Sequence, residues 1–417
     1  MKKLIGPIIV VSFLIMIIGC GTSNNRERSG SSNKVDVNKD DYKKIIFSNN
    51  QLGFDLLPDA GVNKDDNIFI SPTSLLLALS MVYNGADGVT KEEMANVFHA
   101  QGIEINQLNN ANASLMSMLK SDSKPSQLNI ANSIWLNNHF HFQDEFAQNT
   151  RNFYNAKIQE IDPTSTQTPK IINDWVNKST NGKITKMIDA NLDPNLVAVL
   201  INAIYFKGDW MHEFDKKLTE KRPFHLKGGT SKDIPLMTLS HKLAYFENEN
   251  FQAVILPYAD KKMSMNVFLP KEDSRLAEFQ NMLTMANWKN WNAQFQEKEG
   301  TVLVPKFQLE YEAEWSNALK KLGMRTAFDE GAYFTKMIKE NDPVWISEIK
   351  QKTFLNVNEE GSEAAAATSV KMKTTAAPVG DRPFHMEVNR PFFIAITDNE
   401  TGAILFMGSI SNPQEGK

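Results

Sequence analysis

The 417-residue chain contains a single cysteine, Cys20. No intramolecular disulfide is open to it, so packing alone has to hold its fold. Lys and Arg do not outnumber Asp and Glu, and a net charge of −4 excludes the basic footprint of a nucleic-acid binder. No Gly-x-Ser-x-Gly elbow, His-Glu-x-x-His motif or phosphate-binding glycine loop occurs, so nothing marks an enzyme. His139-Phe140-His141 alternates as on a strand, but two histidines make a poor metal site. Neither metal nor cofactor is expected.

Met1-Lys2-Lys3 is a basic start, and the apolar stretch from Leu4 to Ile18 is short for a bilayer span. Its end, Ile17-Ile18-Gly19-Cys20, resembles the lipobox of bacterial lipoproteins. That resemblance implies a signal peptide over 1–19, cleavage before Cys20 and diacylation of its sulfur. An ordinary signal peptide or N-terminal anchor is the other reading. Residues 20–41 are rich in Ser, Asn and charge and nearly free of large apolar side chains, so they read as a flexible tether. Two acyl chains suffice for stable anchoring. The expected location is the cell envelope, with the domain lipid-anchored and outside the cytoplasm, at the outer membrane or cell surface in a Gram-negative cell.

From Tyr42 to the end no linker or repeat interrupts the chain, and 42–417 reads as one domain. Ser71-Pro72 is a helix start, and the segment to Tyr83 is apolar nearly all round, as in a buried helix. Leu128–Leu136 reads as a strand and Pro169–Val176 as a helix. Strand patterns follow at Val197–Phe206, Ala253–Leu256, Met263–Leu269 and Thr301–Leu309. Phe392–Thr397 and Ala403–Met407, joined by a turn at 398–402, make a hairpin. Helices early and strands late, without regular alternation, predict an α+β fold.

The stretch Glu359-Glu360-Gly361-Ser362-Glu363-Ala364-Ala365-Ala366-Ala367-Thr368 is unusual for its small side chains. Such residues tolerate either exposure or burial, and Gly361 offers backbone angles closed to other residues. Taken alone, the window reads equally as a linker or the first turns of a helix.

Several blocks, in order and at similar spacing, together resemble the serpin family over residues 42–413. They are 67–74, Trp175 to Lys183, Leu200 to Trp210, Val304-Pro305-Lys306-Phe307, Asn389 to Phe393 and Phe406-Met407-Gly408. The resemblance implies three β-sheets, about nine helices and an exposed reactive-centre loop at about 359–380. It implies an inhibitor of endopeptidases, mainly serine proteases with papain-like cysteine proteases as further candidates, that works by suicide-substrate trapping. The protease forms an acyl-enzyme, and the cleaved loop inserts into the large sheet. A non-inhibitory serpin acting as a cell-surface binding or carrier protein is the alternative.

By the family's alignment Ser362, Ala364, Ala366 and Thr368 face inward after insertion, all small and uncharged, with Glu363 outward. Counting from the hinge glutamate, Glu359, places the reactive bond at Thr375-Ala376, with Lys373 and Lys371 as alternatives. Ser71, Ser74, Asn202 and Gln351 match the shutter beneath the sheet. Gln351 stands where the family often has histidine, and it does not titrate near neutral pH. Trp210 and Lys306 match the breach, with Lys306 paired to Glu359. A solvated ion pair is the plainer reading of that contact. Ile105 to Lys120 has Lys120 as its only basic residue, so glycosaminoglycan binding is not expected. Target proteases and, through Cys20, a membrane are the expected partners of a monomer.

Overall fold

Ser71 ends an extended segment and starts a helix. In the computed structural model its backbone is extended and its hydroxyl accepts from the Ser74 amide, with Pro72 in the first turn. Pro72–Tyr83 is buried along its whole length, as its apolar circumference requires. The structure describes residues 38–63, 65–120, 125–189, 192–272, 275–362 and 382–416.

Nine α-helices occur among the described residues: α1 (Ile46–Leu56), α2 (Pro72–Tyr83), α3 (Gly88–Val97), α4 (Ile105–Leu119), α5 (Asp144–Tyr154), α6 (Thr168–Ser179), α7 (Leu276–Asn281), α8 (Met285–Asn292) and α9 (Ser316–Leu322). The strands are β1 (Ile68–Ile70), β2 (Ser126–Asn137), β3 (Lys157–Ile161), β4 (Ala198–Asp209), β5 (Glu220–His225), β6 (Ser231–Glu247), β7 (Phe251–Pro257) and β8 (Met263–Pro270). They continue as β9 (Gln296–Pro305), β10 (Phe307–Glu314), β11 (Glu348–Val357), β12 (Gly361–Ser362), β13 (Phe384–Glu387), β14 (Phe392–Asp398) and β15 (Ile404–Ile410).

A six-stranded sheet has the order β10-β11-β12-β4-β2-β3, with β11 also bonded directly to β4. The other strands follow the path β1-β15-β14-β8-β7-β6-β9-β13, with β5 on β6. The 17-residue β6 pairs with β5 and β9 along most of its length and reaches β7 only at its end. It thereby joins two layers, and with the six-stranded sheet these make the three sheets of the expected α+β fold. An aromatic cluster of Phe251, Phe268, Phe279, Trp288 and Trp291 fills the space under α7 and α8. Burial of each such ring is worth about 1.5–3 kcal/mol.

Three expectations need correction. Thr301–Leu309 is not one strand: β9 ends at Pro305 in one sheet and β10 starts at Phe307 in the other. Of Val304-Pro305-Lys306-Phe307, only Phe307 belongs to the six-stranded sheet, which carries the seam expected of the large sheet. Lys306 lies at the crossing, with its amide on the Pro235 carbonyl. His139-Phe140-His141 lies in the turn after β2, where the Asn137 side chain accepts from the His139 amide and His141 pairs with Glu340. Residues 38–41, assigned to the tether by composition, touch the domain: the Lys39 carbonyl accepts from Ser114 Oγ at 2.8 Å.

Candidate functional site

β4 and β11 run parallel and bond directly from Glu348↔Val199 to Phe354↔Tyr205. Beyond that they part, and β12 enters between them, antiparallel to both, with Gly361 opposite Asp209 and Ser362 opposite Gly208 and Val357. The central seam is therefore closed along most of its length and wedged at one end.

Gly361 earns its place by proximity. A Cβ there would lie 2.2 Å from the Gly208 carbonyl oxygen and 2.7 Å from Asp209 Cα. Its φ is not positive, so the expectation of special backbone angles is wrong, and close backbone approach is the reason for glycine. Ser362 is fully buried, and its Oγ lies 2.7 Å from Tyr258 Oη. The Tyr258 ring stacks on Trp210 at 4.7 Å. Burial pushes the Tyr258 phenol well above its ordinary value, so it stays protonated.

The turn between β11 and β12 is held from several sides. Asn358 Oδ1 accepts from the Glu360 and Gly361 amides at 3.0 and 3.2 Å. Trp210 donates its backbone N–H to the Glu360 carbonyl and its indole N–H to the Asn358 carbonyl, each at 2.9 Å. The Phe214 amide donates to the Glu359 carbonyl. Lys216 pairs with Glu360. Glu359 is buried, with Lys306 Nζ 2.9 Å from Oε2 and Thr219 Oγ1 donating to Oε1 at 3.0 Å. Burial pushes the Glu359 carboxyl up, but the bonds from Lys306, the backbone and Thr219 outweigh it and hold the carboxyl below its ordinary range. A freely solvated ion pair describes only the lysine end of this contact.

Along the closed part of the seam, three amides from adjacent strands form a row. Asn132 of β2 lies opposite Asn202 of β4, which lies opposite Gln351 of β11. Asn202 Nδ2 reaches Asn132 Oδ1 at 2.5 Å, and Gln351 Nε2 donates to Asn202 Oδ1 at 2.7 Å. Asn202 Nδ2 also reaches the Ser74 carbonyl at 3.0 Å, and its Oγ. Gln351 closes on Ser71, accepting from its amide at 3.0 Å and donating to its carbonyl at 2.9 Å. Ser71 Oγ donates to the Leu405 carbonyl, and Thr353 Oγ1 to that of Phe69. Ser71, Ser74, Asn202 and Gln351 thus meet in one buried network.

Glu363, Ala364, Ala365, Ala366, Ala367, Thr368, Lys371, Lys373, Thr375, Ala376 and Cys20 lie outside the described residues. The residues that sequence reasoning missed are Asn132, Thr219, Tyr258, Thr353 and Asn358. Their partners are distant in the chain for all but Asn358. Asn358, directly before the glutamates and two and three positions ahead of the amides it caps, carried a readable Asx-turn signal.

Residues 47–413 match the family model described as Serpin (serine protease inhibitor). An uncharacterized serpin-like protein of Thermococcus kodakarensis is 31% identical, over 98% of this chain and 99% of that one. Iripin-1 of Ixodes ricinus is 32% identical, over 88% of this chain and 95% of its own. Among solved structures, the thermophilic serpin tengpin in its native state superposes with a TM-score of 0.81 at 30% identity, covering 91% of this chain and 96% of tengpin. Human thyroxine-binding globulin complexed with thyroxine gives 0.81 at 25% identity, covering 90% of this chain and 100% of that one. Built on this fold, with the seam and its wedge at the heart of the large sheet, the chain belongs to the serpin family.

Proposed function

We propose that this serpin inhibits endopeptidases, mainly serine and also papain-like cysteine proteases, as a suicide substrate. One observation carries the reading: Ser362, the first inward residue of the loop, already sits buried in the seam. A protease attacks the bond Thr375-Ala376, or one after Lys373 or Lys371, and forms its acyl-enzyme. Cleavage frees the loop to lengthen β12. Continuing the register of Ser362 opposite Gly208 and Val357 sets Thr368 opposite both Asn202 and Gln351. The lengthening strand then replaces the direct β4–β11 ladder with two ladders and parts the amide row. The attached protease is dragged along, and displacement of its catalytic groups stops deacylation.

Small, uncharged side chains suit this path, because a buried charge would cost several kcal/mol. The alternative, a non-inhibitory binding or carrier serpin, has the likeness to thyroxine-binding globulin in its support. Mixing the protein with serine and papain-like proteases separates the two. Inhibition predicts SDS-stable complexes and a released C-terminal peptide that begins at Ala376, Thr374 or Met372. It also predicts a large rise in melting temperature once the loop is nicked. Cleavage without complexes or thermal gain would support the carrier reading. We further infer a monomer anchored by diacylated Cys20, its domain outside the cytoplasm at the cell envelope. Labelling by a radioactive fatty acid, lost in Cys20→Ala, tests the anchor.

A further inference from the structure

His212 and His241 are stacked face to face beside the hinge. Their ring centroids are 3.6 Å apart and their planes 24° from parallel. His212 lies in the connection after β4, and His241 on β6 opposite Gly300 of β9. His241 Nδ1 lies 3.0 Å from the Lys242 carbonyl and donates to it, which leaves the lone pair on Nε2 in the neutral ring. That Nε2 is buried and has no hydrogen-bond partner among the described residues. His212 also lines a tight cleft, with no room for a water molecule, among Trp210, Phe214, Leu239, Leu243, Leu256 and Pro257. Two neutral rings fit this largely apolar place. Two charged rings at this separation do not.

The position of His212 gives the pair its consequence. Trp210 and Phe214, two residues to either side, supply three of the hydrogen bonds that hold the Asn358–Gly361 turn. We propose that His212 and His241 form a pH-responsive latch: neutral, they hold the 210–214 segment on β6, and in acid they separate and loosen the hinge turn. Burial lowers the His212 imidazole pKa, and charge on His241 lowers it further. The unfolded chain therefore takes up the proton more readily than the native one. The latch's contribution is complete above the ordinary histidine value of about 6.5 and is lost as pH falls through the lower native value.

The charged groups on the packed elements are Lys242 on β6 and Glu299 opposite it on β9. Asp209, Glu213, Asp215, Lys216 and Lys217 lie on the 209–217 segment, Glu359 and Glu360 on the turn, and Asp260, Lys261 and Lys262 between β7 and β8. Burial raises the Glu213 carboxyl, and Glu360 and Asp209 raise it further. Glu360 and Glu359 are already engaged by Lys216 and Lys306.

The latch rests on the proposed inhibitory reading only for its consequence, and its test needs no protease. Hydrogen exchange at residues 358–362, corrected for intrinsic rates, reads the opening of the turn. In the wild type, opening rises severalfold between about pH 7.5 and 5.5, because the open turn takes up the proton more readily than the closed one. It stays flat in His212→Phe and His241→Phe, while the remote control His141→Gln follows the wild type. A flat wild-type profile, or a wild-type slope retained in both Phe variants, overturns the proposal. Imidazole titration by NMR on the unaltered chain covers the case of a misfolded variant. Two interacting titrations, one of them below the ordinary value, support the latch, and two independent ordinary ones overturn it.

Discussion

Tyr258 Oη and Ser362 Oγ lie 2.7 Å apart, both fully buried, and each hydroxyl has the other for a partner. This bond ties Ser362 of β12 to an aromatic stack that continues through Trp210. In Tyr258→Phe the ring and the stack remain but the Ser362 hydroxyl is stranded, at a cost of about 1–3 kcal/mol. Amide exchange at Gly361 and Ser362 is expected to accelerate at least severalfold. Unchanged protection would show that backbone pairing alone seats β12.

Ser362→Arg places a charge where the structure holds a buried hydroxyl. Leaving the seam is cheaper than burying the guanidinium, which costs several kcal/mol. The variant is expected to be cleaved as a substrate, with SDS-stable complex largely lost. Complex formation equal to wild type on a gel would refute the inward assignment.

The Glu359 carboxyl is held below its ordinary range by its hydrogen bonds, so its contribution is present above about pH 4.3. It is lost as pH falls through the lower native value. Thermal melts between about pH 5 and 3 are expected to show this loss in the wild type and much less of it in Glu359→Gln. Lys306→Ala removes one charge-assisted bond from a partly exposed lysine and should cost about 1–2 kcal/mol near neutral pH. Identical acid profiles for wild type and Glu359→Gln would place the acid sensitivity elsewhere.

Gln351→Leu leaves the Ser71 amide, the Ser71 carbonyl and Asn202 Oδ1 without the partner that Gln351 supplies. Buried orphans of this kind cost about 1–3 kcal/mol each, and partial relaxation brings the expected loss to about 2–5 kcal/mol. Urea unfolding measures it directly. A loss below about 1 kcal/mol would mean that the network repacks around the gap.

Gly361→Ala meets the backbone of β4, with the Gly208 carbonyl oxygen only 2.2 Å from the new methyl. The nearest atoms are all backbone, with no flexible side chain among them to move aside. Expulsion of β12 is the expected result, read as loss of exchange protection at 361–362 with little change in the rest of the large sheet.

Where the physics is local, the sequence was legible. Ser71 as cap, Pro72 behind it and an apolar circumference to Tyr83 specify α2 without any tertiary partner. The β14–β15 hairpin follows from two apolar runs and a turn in which Gly402 takes a positive φ. The break at Pro305 was hidden, since apolar patterning continues from β9 into β10 while the chain changes sheets. Asn132 was equally hidden, because only strand register sets it opposite Asn202.

By its own residues the chain determines its family, the buried α2 and a run of small side chains after two glutamates. Those depend on covalent neighbours, whose spacing sets the period of the pattern. Tertiary structure alone decided how far β12 enters the seam, why residue 361 has to be glycine and which amides meet across it. The same holds for the stacking of His212 on His241. Each of these is a contact between segments far apart in sequence, and a short-range pattern carries no record of register or of the space left between two backbones.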